Sequence, residues 1–238
     1  MVILAILIVH WYLSLFCQTF FLHRYAAHGM YKMSPFWERF FYLFTFLMQG
    51  PSFLNPRAYS ILHQRHHHHS DTERDPHSPY NHRNFLEMMV KTLSEYKACF
   101  SLTDPNDVKK NWPIWPRLDH FAVSFANILL WTIIYVFIYV KFATTWWLFF
   151  FLPLHFIMGP IQGAIVNWCG HKIGYRNFQL QDQSRNTLFL DIFLMGELFQ
   201  NNHHRFSQRS NFAHKWFEWD LGHTFIKILV LCRVVKKV

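Results

Sequence analysis

From Val2 to Leu22 the chain carries no charged residue over 21 positions. Backbone in hydrocarbon must satisfy its own hydrogen bonds, so a run of this length reads as a helix crossing a bilayer core of roughly 30 Å. It has no basic leading region and no small-residue cleavage site, so a removable signal peptide fits poorly. Ala122 to Val140 is a second uncharged run, of 19 residues. Lys141 then marks a tight turn, and Phe142 to Trp168 forms the second arm of a transmembrane hairpin. That arm is expected to be kinked or widened at Pro153 and near Gly159-Pro160. The expected spans are therefore about 2–22, 120–140 and 142–168.

Composition agrees with a membrane chain. Aromatics make up 20% of the 238 residues and charged residues only 16%. The mean hydropathy is close to zero, so the apolar spans must alternate with a substantial polar part. Segment 23–118 holds twelve Lys or Arg, the turn holds Lys141, and 169–238 holds ten. By the rule that basic loops stay cytosolic, both large segments form one cytosolic cap and the N-terminus lies outside. The chain reads as one domain, 1–238. The net charge of +9 suits anionic headgroups or phosphate-bearing substrates; membrane lipid is the expected partner and nucleic acid is not. Cys17, Cys99, Cys169 and Cys232 form no CxxC pair and read as reduced packing residues.

Inside the cap, 34–60 reads as helices in the interface or against the bundle. Phe85 to Phe100 reads as an amphipathic helix with Lys91 and Lys97 on its wet side. Thr103 to Arg117 is a connector whose Trp112 and Trp115 suit a headgroup belt. Trp216 to Val238 reads as an interfacial helix ending in Lys236 and Lys237. His155 lies within a span, where it either faces the bundle interior or serves function.

Histidine carries the chemistry. The stretch HQRHHHHSDTERDPH, His63 to His77, holds six histidines and three carboxylates. On a helix, His66 and His67 lie one turn from His63 yet diverge from each other by about 100°, so they reach toward two different ions. Two more clusters accompany it. HRYAAH places His23 and His28 five apart, which converge only if the helix ends, bends or bulges there. Gln200, His203 and His204 repeat the i, i+3, i+4 spacing, and Asn167 and His171 stand one turn apart.

The phrases HRYAAH, HQRHHxxSDTERDPHSP, NWCGHKIGYRNF and SRNTLFLDIFLMGELFQNNHH resemble the membrane fatty acid desaturase superfamily. The closer likeness is to acyl-CoA (stearoyl-CoA type) Δ9 desaturases, particularly short bacterial members. The resemblance implies an all-α integral membrane fold: about three transmembrane helices, interfacial amphipathic helices, and a cytosolic helical cap holding a histidine-ligated di-metal site. It implies two Fe2+ ions. One would take His23, His28, His63, His67 and His203; the other would take His66, His171 and His204, with Asn167 holding a water. Family members often have a ninth histidine where this chain has Gln200, so either its amide ligates or that position is open or water-filled. Asp71, Asp75 and His77 match the family's DPH region and read as groups that orient ligand imidazoles. His68 and His69 match no family ligand and read as surface residues. The family's eukaryotic members have a transmembrane helix before the one that bears the first cluster, and this chain is read as starting without that extra helix. The likeness to short bacterial members implies a multi-pass protein of a bacterial inner membrane.

Zinc has no redox chemistry, whereas breaking an unactivated C–H bond needs a redox metal such as iron. The expected activity is O2-dependent insertion of a cis double bond into a long-chain saturated acyl-CoA or related acyl thioester. Arg57, Arg74 and Arg83 are candidates for holding CoA phosphates. No GxGxxG fingerprint is present, so electrons would come from a separate ferredoxin, rubredoxin or cytochrome. A hydroxylase using the same ligands is the alternative within the superfamily. A non-enzymatic membrane metal-binding or transport protein is the alternative of another class.

Overall fold

The computed structural model describes residues 1–101 and 112–238. Helix α1 (Val2–Phe16) runs without interruption into a π-wound stretch, Cys17–Ala27. Together they make a 26-residue apolar helix. A short strand β1 (Tyr31–Met33) leads to α2 (Pro35–Gln49), then to α3 (Pro56–His69) and α4 (Phe85–Ser101). After α5 (Pro116–Ala122) and α6 (Phe125–Phe142) come α7 (Leu152–Phe156) and α8 (Met158–Lys172). The remainder holds β2 (Leu190–Asp191), α9 (Gln200–Arg205), β3 (Trp219–Asp220), α10 (Leu221–Leu231) and β4 (Val235–Lys237).

Among the described residues two helices are long and apolar enough to cross a membrane, Val2–Ala27 and Phe125–Phe142. The third expected span is bent beside Gly159-Pro160, as expected, and bent sharply. Its two halves, Trp146–Phe156 and Met158–Lys172, meet at 76°. They make a third crossing only if the bent pair is one span. The bend is larger than a proline kink because the start of α8 is held from outside. The Gly159 amide donates to Ser52 Oγ at 3.2 Å. A Cβ at Gly159 would stand 3.1 Å from the Ser52 carbonyl oxygen, so the close approach requires glycine. Pro160 sits in the first turn of α8, where a missing N–H breaks no helical bond.

The hairpin also differs at its turn. Ser124 caps α6 by accepting from the Asn127 amide, so the helix begins later than expected. Lys141 lies within its last turn, where a cation complements the helix dipole, and the reversal follows at residues 143–145. His155 is 1% exposed and faces the bundle interior. Its Nδ1 meets His10 Nδ1 at 2.6 Å and its Nε2 meets the Tyr139 hydroxyl at 3.0 Å, which ties α1, α6 and α7 together.

The polar part departs from expectation twice more. The C-terminal helix is shorter than predicted, because Asp220 caps it at His223 and the chain straightens after Cys232. Lys236 and Lys237 therefore lie in β4, which pairs antiparallel with β1, Met33 opposite Val235. Trp115 meets Tyr42 edge to face and lies under the Arg39 guanidinium, and Trp112 packs against the Ala58–Leu62 face of α3. Residues 103–111 of the expected connector fall outside the described residues. Helix α4 forms as expected, with Lys91 and Lys97 exposed. An aromatic core of Phe20, Phe21, Tyr31, Phe41, Tyr42, Phe199 and Phe212 fixes the π-wound stretch against α2 and the segment after α9.

Candidate metal centre

The π-wound stretch solves the five-residue spacing of the first cluster. The His28 amide bonds the His23 carbonyl at 3.1 Å, an i→i+5 bond. Widening the turn this way brings residues five apart onto one face, as residues four apart lie on an α-helix. The two rings end 4.9 Å apart. Gly29 follows at φ 63°, ending the helix in the left-handed region that suits glycine. Helix α3 begins at Asn55, whose side chain accepts from the Ala58 amide, with Pro56 in its first turn. From that start it carries His63, His66 and His67 into the same space, and short α9 brings His203 and His204 from the other side.

Two groups of imidazoles result. His23, His28, His63, His67 and His203 form one; His66, His171 and His204 form the other. Neighbouring residues split between them, His66 from His67 and His203 from His204, as the helical divergence requires.

In the larger group Nε2 atoms face one another: His28 to His63 at 2.8 Å, and His63 to His67, His67 to His203 and His203 to His23 at 3.0 Å each. Burial, and then the neighbouring imidazoles, lowers the pKa of His28, His63, His67 and His203 well below the ordinary value, so these rings are neutral. His23 Nδ1 lies 2.6 Å from Glu197 Oε2, which fixes the proton on Nδ1 and leaves Nε2 a bare lone pair. Converging lone pairs repel unless a cation sits among them. With metal–nitrogen bonds of about 2.0–2.1 Å, two ligands at a right angle stand about 3.0 Å apart. The observed edges fit one ion.

The smaller group is arranged differently. His66 Nε2 and His204 Nε2 are 3.3 Å apart. Each ring of the group gives its other nitrogen to a carboxylate: His66 Nδ1 to Asp75 at 2.9 Å, His171 Nδ1 to Asp71 at 2.7 Å, and His204 Nδ1 to Asp182 at 3.0 Å. This is the way metal-binding histidines are held in tautomer and direction. His171 Nε2 is buried and has no partner among the described residues. Burial acts to raise the Asp71 pKa, but bonds from His171, Ser78 and the Gln183 amide outweigh it and hold the carboxyl at about 2. Asp182 is likewise held low, burial being outweighed by His204 and Ser184. Asp71 itself adopts φ 59°, a conformation that Asp tolerates better than most residues.

The other residues singled out in the sequence fall as follows. His77 makes no hydrogen bond through its ring among the described residues; it stacks on His66 with centroids 4.5 Å apart. Gln200 gives its amide N–H to the Glu197 carbonyl and packs so closely on Gly170 that a Cβ there would stand 2.4 Å from its Cγ. Asn167 Nδ2 donates to the Gly163 carbonyl. His68 is exposed and His69 half-buried. Arg57 is half-buried, and Arg74 and Arg83 are exposed. All four cysteines are free, with Cys232 exposed. Glu197 and Asp182 were not singled out from sequence. Glu197 lies within the GELFQNNHH phrase, three residues before Gln200, whereas nothing in its neighbourhood marked Asp182.

A cavity of about 110 Å³ adjoins the larger group. Apolar side chains of α1, α3, α4 and α8 wall it, among them Leu15, Leu62, Leu93 and Val166. His23, His63 and His77 reach its wall, as do Asn167 and Gln200, while none of the lining residues is Lys or Arg.

The family model for fatty acid desaturases matches residues 1–223. The Delta-9 desaturase-like 5 protein of Arabidopsis thaliana is 28% identical over 221 residues, covering 88% of this chain and 68% of its own length. Delta-9 acyl-lipid desaturase 1 of the same plant is 26% identical, with 87% and 65% covered. A hex-5-enoyl acyl-carrier-protein acetylenase of Moorena producens (strain JHB) is 27% identical, with 94% and 72% covered. The chain thus spans about two thirds of the length of these plant relatives. Buried histidine groups suited to metal, an apolar chamber beside them and a match over nearly the whole chain agree: this protein belongs to the fatty acid desaturase family, among relatives of Δ9 type.

Proposed function

We propose that the protein is an O2-dependent di-iron desaturase that introduces a cis double bond into a long saturated fatty acyl chain. The observation that carries the reading is the junction of two largely buried imidazole groups with an apolar cavity. In this reading His23, His28, His63, His67 and His203 hold one iron, and His66, His171 and His204 hold the other. Asn167 and Gln200 stand beside the second as groups for a bound water. When bound, the two irons would supply the redox chemistry that activates O2, which no side chain here can supply.

The chain's own residues do the rest. The carboxylates of Glu197, Asp75, Asp71 and Asp182 keep Nδ1 protonated on four of the rings, so Nε2 presents its lone pair inward. The apolar wall binds methylenes and excludes water, and the depth to which a chain enters sets which carbons lie beside His23 and His63. Among the described residues the lining holds no Lys or Arg, and we place the carrier outside it. Relatives are named for acyl-lipid and acyl-carrier-protein substrates, and we take an acyl thioester such as acyl-CoA as the substrate here, with Arg57, Arg74 and Arg83 outside the cavity as its phosphate contacts. A separate ferredoxin, rubredoxin or cytochrome delivers electrons. The histidines face the cytosol of a bacterial inner membrane.

Expression in a host lacking this activity, followed by double-bond mapping of its lipids, tests the reading. A new cis-monounsaturated acid that disappears with His67→Ala is the expected result. A hydroxylated product would move the protein to the hydroxylases, and an unchanged lipid profile would refute the enzyme reading.

A further inference from the structure

Arg24 follows His23 directly and has no exposed surface. A buried guanidinium is costly unless charges and acceptors surround it. Here they do. Nη1 donates to Glu197 Oε1 at 3.0 Å, Nη2 to Asp220 Oδ2 at 2.8 Å, and Nε to the Ser210 carbonyl at 3.0 Å. Nη1 also meets the Thr19 hydroxyl, which bonds the same Glu197 oxygen. The second oxygen of Glu197 accepts from His23 Nδ1 at 2.6 Å. The face of the guanidinium lies 3.8 Å from the centre of the Phe212 ring, which packs on His203 with centroids 4.4 Å apart. Glu197 is the one carboxylate that orients a ring of the five-histidine group among the described residues, and Arg24 is the cation that balances it.

We propose that Arg24 is a positioning residue: acting through Glu197, it fixes the direction in which His23 presents Nε2 to a metal ion. The inference rests on the reading that the five-histidine group holds a metal. Lysine cannot replace it, because a single ammonium on a flexible stem lacks the planar, fixed geometry with which the guanidinium holds Glu197. Asp220 does a different job. It anchors the other arm of Arg24, accepts from the Phe212 amide at 2.8 Å and caps α10, and among the described residues no hydrogen bond joins it to His23 or Glu197.

Cobalt(II) binding to the metal-stripped full-length protein in detergent, in competition with a chromophoric chelator, tests this without any turnover. The parent is expected to bind two ions. Arg24→Lys should weaken one site by about tenfold or more, with the other unchanged. Glu197→Gln should weaken the same site, and the double variant should lose no more than about twofold beyond the worse single one. Asp220→Asn should lower the unfolding temperature while both cobalt affinities stay within about twofold of the parent. Additive losses in the double variant, or an Arg24→Lys protein that binds both ions as the parent does, overturn the proposal. So does an Asp220→Asn protein that loses cobalt as Arg24→Lys does, since the effect would then run through the fold. If Arg24→Lys is not recovered folded, unchanged cobalt binding by Glu197→Gln overturns it alone, and a loss confined to one site supports it. A parent that binds no cobalt sinks the metal reading and this proposal together.

Discussion

The two histidine groups lie side by side but are built on opposite plans. One gathers five rings with a single orienting carboxylate, Glu197, whose charge Arg24 balances. The other has three rings, each given its own carboxylate. The first offers a cation many neutral lone pairs and little net charge. The second offers few lone pairs and a concentration of negative charge around them. Ligand number and surrounding charge are two ways to stabilise an ion in a buried site, and this chain uses one on each side of the His66–His67 pair.

Removing a ring from the crowded group should break the comparison most severely. His203 Nε2 touches both His23 and His67, so His203→Ala is expected to abolish desaturation and to drop bound metal from two ions per chain to about one. Lipid profiling and metal counting by mass spectrometry check the two halves. A variant that loses both ions would show that the groups are not independent sites, and one that keeps both would show that His203 is not a required ligand.

The charged group should fail through its carboxylates. Asparagine tolerates the left-handed backbone at position 71, so Asp71→Asn removes the charge beside His171 without straining the turn. Metal affinity at the three-histidine group should fall about 10- to 100-fold while the other group is unaffected. Chelator competition reads this, and equal losses at both groups would contradict it.

Acid should act on both groups. Burial depresses the folded-state pKa of His28, His63, His66, His67 and His203, so the unfolded chain binds more protons as the pH falls. The stability of the metal-free protein is then fully present above the ordinary histidine value of about 6.5 and is lost as pH drops below it. Melting temperatures at pH 7.5 and 5.5 should differ in that direction; equal values would mean that the rings charge freely in place. The smallest effect is expected of Gln200→His, which supplies an additional imidazole next to Gly170 and His171. Cobalt should bind the three-histidine group more tightly, by less than Asp71→Asn weakens it.

Much of this was legible in the sequence for reasons of period. The divergence of His66 from His67 follows from helical geometry, and the separation of His23 from His28 demanded an irregular helix, which the π-wound stretch provides. What escaped reading is carried by contacts without a period. Asp182 reaches His204 across a loop, and Glu197 reaches His23 over 174 positions. Strand β4 is three residues long, too short for alternation to show, and its partner β1 lies at the other end of the chain. Gly159-Pro160 announced a bend, but its size is set by Ser52 and Gln49, which no local pattern names.

X-ray absorption at the iron edge, on protein expressed in iron-sufficient cells, combined with metal counting, tests the central claim most directly. Two ions per chain, each in a shell dominated by imidazole nitrogen near 2.0–2.2 Å, is the predicted result. A single ion per chain, or a shell containing sulfur, would contradict it.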